Sequence, residues 1–519
     1  SRQAYQEGFA LWQRPESAPA VAPPPAPHAL RSSWPIVITL DPSLATWASD
    51  IPIITHLFSG LVEQTPEMDI VPDGARAWEV LEGGRKYVFH LRNDVRWSDG
   101  VSVTARDYEF ACKRILDPRL DSGVTTYLED IREARAFHAG EVPNADEVGV
   151  KAVDDLTLVV DLERPAGYFL RLMALLYPVP RHAVEKYGEA WTEPGNIVTN
   201  GPFRLESWRP AERLVVVRNP EYHGRFPGNL QRVELTLEST MNCPAMLGRY
   251  EADEEDVLEL PPVEMDLVRY RHPGEYFQAP SAGIGFLLFD MTRAPFDDPR
   301  VRRAFGHALD RETLADVALR GYYSPALGGM IPPGVPGHSP NVGLPFDAEQ
   351  ARRLLAEAGY PGGRGFPETE FSYAVYSFGT AGFFQTQWRE NLGVEVKLKE
   401  LPWREYTLSV REPPTSVFAV GWAADYPDPD NILRLGLRAY RTVHPGEAFL
   451  SLVEKAGQST HQEQRMAIYQ EADRILVEQA LVVPLFYNRY NFLLKPWVKR
   501  YPTSPVREAF WNEVVLEAH

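Results

Sequence analysis

Apolar and polar positions alternate with period two through Lys86-Tyr87-Val88-Phe89-His90-Leu91-Arg92 and again through Thr157-Leu158-Val159-Val160-Asp161-Leu162. Successive side chains of a strand point to opposite faces, so each segment predicts a half-buried strand. Trp34-Pro35-Ile36-Val37-Ile38-Thr39-Leu40 is apolar nearly throughout and predicts a buried strand, followed by a short amphipathic helix over 53–62. Asp99-Gly100 reads as a turn. Thr104-Ala105-Arg106-Asp107 opens a helix, with the threonine as its cap. Further strands are expected at 200–205, 213–218 and 232–237.

From Gly285 onward the period changes, and helices alternate with strands. The pattern predicts helices over 300–319 and 347–359, the second with Leu354, Leu355 and Ala358 on one face and Gly359 as its stop. Strands at 371–376 and 394–398 flank a helix at 383–391. In a helix over 463–479, Met466, Tyr469, Ala472 and Leu476 share a face and read as core rather than as a cofactor contact. A strand at 481–487 follows. This alternation is the signature of an α/β lobe. Residues 285–485 are expected to form that second lobe, inserted between two parts of a first lobe, 34–284 and 486–519, with two crossings as the hinge. Residues 1–33, Pro- and Ala-rich from Pro15 to Pro27, read as an extended tail or linker.

A chain of 519 residues exceeds one ordinary core and predicts about three structural units. Apolar residues at 44% and charged ones at 24% are globular values. The longest apolar runs, such as Gly285-Phe286-Leu287-Leu288-Phe289, fall far short of the roughly 18 residues that span a bilayer. A net charge of −18 argues against a nucleic-acid partner, which demands a basic surface. Two cysteines, Cys112 and Cys243, permit neither a disulfide scaffold nor a metal-finger spacing, and both read as buried free thiols. The acidic run Glu251-Ala252-Asp253-Glu254-Glu255-Asp256 lacks the alternating ligands and central glycine of a calcium loop and reads as a solvated helix end. Phosphate-loop, nucleophile-elbow, His-Glu-x-x-His and dinucleotide motifs are missing from the chain, so no catalytic residue, cofactor or metal is assigned. The chain starts at Ser1 without a secretion-signal pattern, which is expected of a cleaved leader or of a piece of something longer.

One stretch concentrates candidate binding chemistry. Gly421-Trp422-Ala423-Ala424-Asp425-Tyr426-Pro427-Asp428-Pro429-Asp430-Asn431 sets an aromatic ring three residues before an acid on a proline-stiffened loop. Such a loop can offer one ligand an apolar face and a fixed negative charge, which is a binding geometry before it is a catalytic one. A plain strand end running into a Pro/Asp turn has the same composition.

A series of short segments carries a family resemblance. In order they are Leu40-Asp41-Pro42; Phe58-Ser59-Gly60-Leu61-Val62; Val71-Pro72-Asp73 with Ala77-Trp78-Glu79; Phe89-His90-Leu91-Arg92 leading to Trp97-Ser98-Asp99-Gly100; and Thr104-Ala105-Arg106-Asp107. Asn200-Gly201-Pro202-Phe203, Arg218-Asn219-Pro220-Glu221-Tyr222 and Pro295-Phe296-Asp297-Asp298-Pro299-Arg300 with Val301-Arg302-Arg303-Ala304-Phe305 complete it. From Ile36 to Val498 the chain resembles the oligopeptide- and dipeptide-binding type, family 5, of extracellular solute-binding protein that serves ABC importers.

The resemblance implies an α/β fold of the periplasmic-binding-protein type II, in its large variant: two lobes around a ligand cleft, the first with an appended subdomain at about 63–190. It implies hinge closure over a peptide, delivery to an ABC permease in the membrane, a monomer, and a location outside the cytoplasm, periplasmic or tethered at the cell surface. Asp425 matches the position that meets a peptide's α-ammonium, a contact worth about 1.5–3 kcal/mol when desolvated. Trp422 and Trp403 match aromatic positions that wall side-chain pockets or stack on a sugar. Tyr127 and the segment Thr46-Trp47-Ala48-Ser49 match first-lobe positions facing the ligand, with Trp47 and Ala48 offering backbone pairing to an extended peptide. For each aromatic, core packing is the alternative.

The chain departs from the pattern at Asp290, where the family usually has Asn, and at Trp47, where many relatives are small. No basic residue matches a carboxylate-binding role. An oligosaccharide, a nickel complex, haem or another solute therefore stays open as the ligand. So does a sensory input domain of a larger protein, with a hydrolase as the remotest reading.

Overall fold

The computed structural model describes residues 28–46, 48–240, 242–261, 265–374, 380–409, 416–440 and 443–518. The chain forms two compact units, Ser1–Pro261 with His272–Phe277 and Phe492–His519, and Pro262–Arg271 with Gln278–Asn491. It passes from one unit to the other four times, because a short helix, Met265–Arg271, joins the second unit ahead of the main excursion. Among the described residues no helix is long and apolar enough to cross a membrane.

In the first unit, Ala29–Pro35 runs parallel to Arg232–Glu238 along its whole length, and Arg213–Arg218 and Phe203–Arg209 continue that sheet antiparallel. The strand expected at Trp34–Leu40 therefore lies earlier. Residues 36–40 leave the sheet, with the Ile38 amide donating to Asp50 Oδ1 at 2.8 Å. A separate antiparallel sheet has the order Ala75–Leu81, Lys86–Leu91, Thr157–Asp161, Val150–Asp154. Its two period-two strands bury alternate residues, as their pattern demands: Tyr87, Phe89, Leu91, Leu158 and Val160 are inside. The helix Ala105–Leu116 is capped by Thr104, whose amide donates to Asp107 Oδ2 at 2.8 Å, and it packs on this sheet.

Several of the short segments that carry the resemblance form cross-links inside this unit. Asp41 accepts both Arg114 nitrogens, at 2.9 and 2.6 Å, and the indole N–H of buried Trp191 at 3.1 Å. Asn200 spans Ser59 with two bonds of 3.0 Å, its Oδ1 accepting from the Ser59 amide and its Nδ2 donating to the Ser59 carbonyl. Gly201 lies so close to Leu57 that a Cβ would meet its carbonyl carbon at 2.6 Å, which excludes any larger residue. Asn219 Nδ2 donates to the Gly201 carbonyl at 2.9 Å, and the Ser59 hydroxyl donates to Asp73 at 2.5 Å. These buried polar groups are satisfied within the protein, Asp73 for instance also by His223 at 2.8 Å.

The acidic run is not a solvated helix end throughout. Glu255 and Asp256 are 2% and 0% exposed. Glu255 accepts from Ser33 and Arg249, and Asp256 accepts two Arg31 side-chain bonds and the Trp497 indole N–H. A run of carboxylates looks solvent-facing until distant cations are folded onto it, and Arg31 lies 225 residues from Asp256.

In the second unit the strands order as Val396–Leu401, Thr369–Ala374, Val417–Ala423, Tyr276–Phe289 and Val483–Leu494, and Ser324–Pro325 pairs with the last. The first three are parallel, and Tyr276–Phe289 is antiparallel to Val417–Ala423. An aromatic cluster fills the core, with Phe305 5.1 Å from both Phe296 and Trp388, and Phe371 5.7 Å from Trp388. The helix expected over 300–319 is broken. It ends at His307, and Asp310 caps a new turn by accepting from the Thr313 amide at 3.0 Å and hydroxyl at 2.7 Å. Gln462–Glu478 buries Tyr469, Ala472 and Leu476. Cys112 and Cys243 are both buried, and neither is in a disulfide.

Candidate functional site

Trp422 ends up on the second unit's sheet because Val417–Ala423 pairs with Tyr276–Phe289 in a register that sets Trp422 opposite Ile284. The ladder continues one step, with the Ala424 amide donating to the Ala282 carbonyl at 3.0 Å. The chain then leaves the sheet and turns into the π-helical stretch Asn431–Gly436.

Three aspartates follow within this loop, and packing separates their roles. Asp428 and Asp430 are both 0% exposed. Asp428 is gripped by Arg465, Nη1 at 2.7 Å and Nη2 at 2.5 Å, and the guanidinium is itself buried. Asp430 accepts from the hydroxyls of Tyr426 at 2.8 Å and Tyr469 at 3.1 Å and from Arg434 at 2.6 Å. Burial pushes the Asp430 carboxyl up from its ordinary range, and the Arg434 charge opposes that shift. Both acids are internal struts.

Asp425 is the half-exposed member. Its Oδ2 accepts from Asn431 Nδ2 at 3.0 Å, while Asn431 Oδ1 accepts the Trp422 indole N–H at 2.8 Å. One buried amide thus ties the ring to the acid, and the two bonds fix which way round the amide lies, since a carboxylate cannot donate and an indole N–H cannot accept. The Trp422 ring is backed by Gly436, where a Cβ would come within 3.0 Å of the indole, and Tyr440 donates to the Gly421 carbonyl at 2.7 Å. The result is a half-exposed aromatic face and a half-exposed carboxylate held rigidly on one loop. It can pack against apolar groups and accept hydrogen bonds from a cation.

The structure brings Trp422 and Asp425 together on the second unit through Asn431, which has no role in the reading of the sequence. The amide stands at the end of the stretch that drew attention, but its bridging follows only from the turn. Trp403 opens the helix Trp403–Ser409, and its side chain lies outside the described residues. Tyr127, half-buried in the turn Thr125–Tyr127, and exposed Ala48 belong to the first unit. There the loops bearing them adjoin: Ser122 donates to the Ser43 carbonyl at 2.6 Å, and Gly123 packs against Thr46. Trp47 lies outside the described residues. Asp290 is occupied locally, accepting from the Thr292 amide and hydroxyl and from Arg293. Among the described residues no cluster of three or more His, Cys, Asp or Glu could hold a metal.

An α/β fold in two units, with an aromatic and an acid presented on a braced loop, defines a binding protein of the periplasmic type. The structure superposes on the unliganded open form of the periplasmic murein tripeptide binding protein MppA with a TM-score of 0.81 at 30% identity, covering 95% of this chain and 98% of that one. Residues 69–442 match the bacterial extracellular solute-binding proteins, family 5, and the chain belongs to that family. Similar relatives include the probable deoxycholate-binding periplasmic protein YgiS of Escherichia coli (strain K12), 33% identical over 93% of this chain and 92% of that protein. The periplasmic oligopeptide-binding protein OppA of the same organism is 31% identical, over 94% of this chain and 92% of its own length.

Proposed function

We propose that this protein captures an oligopeptide or dipeptide outside the cytoplasm and hands it to an ABC-type permease, binding the ligand without transforming it. The observation that carries the reading is the braced pair of Trp422 and Asp425, joined through Asn431. A half-exposed carboxylate oriented by the Asn431 amide suits an α-ammonium, and the adjacent ring suits the first side chain. Similarity to OppA and MppA, named as oligopeptide and murein peptide binders, supports the same ligand class. Tyr127, Trp47 and Ala48 of the first unit would complete the ligand's surroundings when the two units close, and Trp403 would wall a side-chain pocket. Closure removes ligand from water and gives the permease one state to recognise. The protein works as a monomer on this reading.

The relative YgiS supports a second ligand, an amphipathic steroid acid, for which Trp422 would supply an apolar face. Native mass spectrometry of the protein as purified, compared with the same sample denatured, separates the two. A spread of adducts at peptide masses is expected; a single steroid mass would replace the peptide reading. The Asp425→Asn variant then tests the anchor. It should lose most affinity for peptides with a free α-amine and little for N-acetylated ones, and equal losses would remove Asp425 from the ammonium site.

A further inference from the structure

A second candidate site lies entirely within the second unit, where the strands Tyr276–Phe289, Val483–Leu494 and Ser324–Pro325 meet. There lies an open pocket of about 320 Å³, lined among others by Gln278, Ser281, Ser324, Asn488 and Arg489. That volume is at the small end of ligand pockets, roughly 300–1,000 Å³. Pro280 and Pro333 stiffen its wall, and the Asn488 amide lies across Gly283, where a Cβ would strike it at 2.4 Å.

Among the described residues, Arg489 is the only charged one lining the pocket. Its Nε donates to the Ser324 hydroxyl and its Nη1 to Gln278 Oε1 at 3.2 Å. Gln278 is oriented for this by its own amide nitrogen, which donates to Asn491 Oδ1 at 2.8 Å and to the Gly321 carbonyl at 3.3 Å. The guanidinium is thus positioned by neutral oxygens, and among the described residues no carboxylate lies within ion-pair distance of it. Several other arginines of this unit are engaged elsewhere. Arg293, Arg300, Arg434 and Arg465 pair with aspartates, while buried Arg302 and Arg311 donate to backbone carbonyls. Arg489 differs from these in standing without an acid on the wall of a pocket, braced by Ser324 and Gln278, in a chain of net charge −18. Nη2 has no partner among the described residues, so the outer edge of the fork can still donate to a planar anion. One cation without a second beside it fits a monoanion, a carboxylate, better than a phosphate dianion.

We propose that this pocket binds a carboxylate of the ligand, with Arg489 as its charge partner and determinant of specificity. The inference rests on the peptide reading above and gives that ligand's negative end a place on the same unit as Asp425. The carboxylate has two sources, the peptide C-terminus or an acidic side chain.

The test compares parent, Arg489→Gln and Arg489→Lys by native mass spectrometry and competition titration. The probes are a mixed library of three- to five-residue peptides as free acids, and as C-terminal amides with and without Asp and Glu. Arg489→Gln should weaken free acids at least tenfold, leave amides lacking Asp and Glu unchanged, and be partly rescued by Arg489→Lys. A loss confined to peptides that contain Asp or Glu, free acids and amides alike, assigns the pocket to a side-chain carboxylate. Unchanged affinity throughout, or equal losses for acids and neutral amides, would overturn the inference while leaving peptide binding standing. A parent that retains no library member would overturn the peptide reading and this inference with it.

Discussion

Asn431 donates to Asp425 at 3.0 Å with the same amide whose oxygen receives the Trp422 indole N–H at 2.8 Å. The amide is buried whereas the two groups it joins are half-exposed, so it is a positioning residue for both.

Replacing Asn431 with leucine keeps the volume and deletes both bonds. The indole N–H and the carboxylate then lose their common brace. Peptide affinity should fall about tenfold, the equivalent of about 1.4 kcal/mol, at nearly unchanged ligand stoichiometry. Isothermal titration against a bound peptide identified by mass spectrometry reads this directly, and an unaltered Kd would mean that Trp422 and Asp425 hold their places unaided.

The loop itself hangs on Arg465 and Asp428, whose side chains are 1% and 0% exposed. Arg465→Met leaves Asp428 as an unpaired buried charge, and the stability loss should be about 3–5 kcal/mol. Combining it with Asp428→Leu should recover most of that loss, because removing both charges also removes the desolvation cost. Chemical denaturation of the single and double variants provides the measurement; a double variant as unstable as the single one would contradict it.

Asp473 links stability to pH. It is fully buried under Gly329, where a Cβ would lie 1.9 Å from Oδ2, and its Oδ1 accepts from the Met330 amide at 2.7 Å. Burial pushes the carboxyl from 3.8 up to about 7, against the pull of the Met330 and Ile331 amides. The folded state therefore holds this proton more tightly than the unfolded chain. Its contribution is complete below about pH 4 and drains away as pH rises through about 7. Asp473→Asn cannot ionise, so the variant should gain on the parent by at least about 1.4 kcal/mol between pH 5 and 8. Thermal melts at the two pH values check the sign; parallel shifts of parent and variant would show that Asp473 is ionised throughout.

The period-two strands at 86–91 and 157–161 and the helix capped by Thr104 were legible from the sequence because the signals that set them are local. A strand read a few residues late at Trp34–Leu40 shows where local signals stop. Ile36 to Leu40 are as apolar as a strand, yet the sheet partner at Arg232–Glu238 pairs with Ala29–Pro35 instead. The Glu251 to Asp256 run went the same way: six residues of polar composition could not disclose Arg31 or Trp497 waiting across the fold.

At the candidate site the sequence determined which loop to watch and that Trp422 and Asp425 stand three residues apart on it. Only the tertiary structure decided that Asp428 and Asp430 are internal struts, that Asn431 is the brace, and that Arg489 stands on a pocket wall among neutral oxygens. Residue type and spacing fix what a side chain can do. Whether it is left free to do so depends on partners from distant elements, and those meet only when the strands of the second unit are laid side by side.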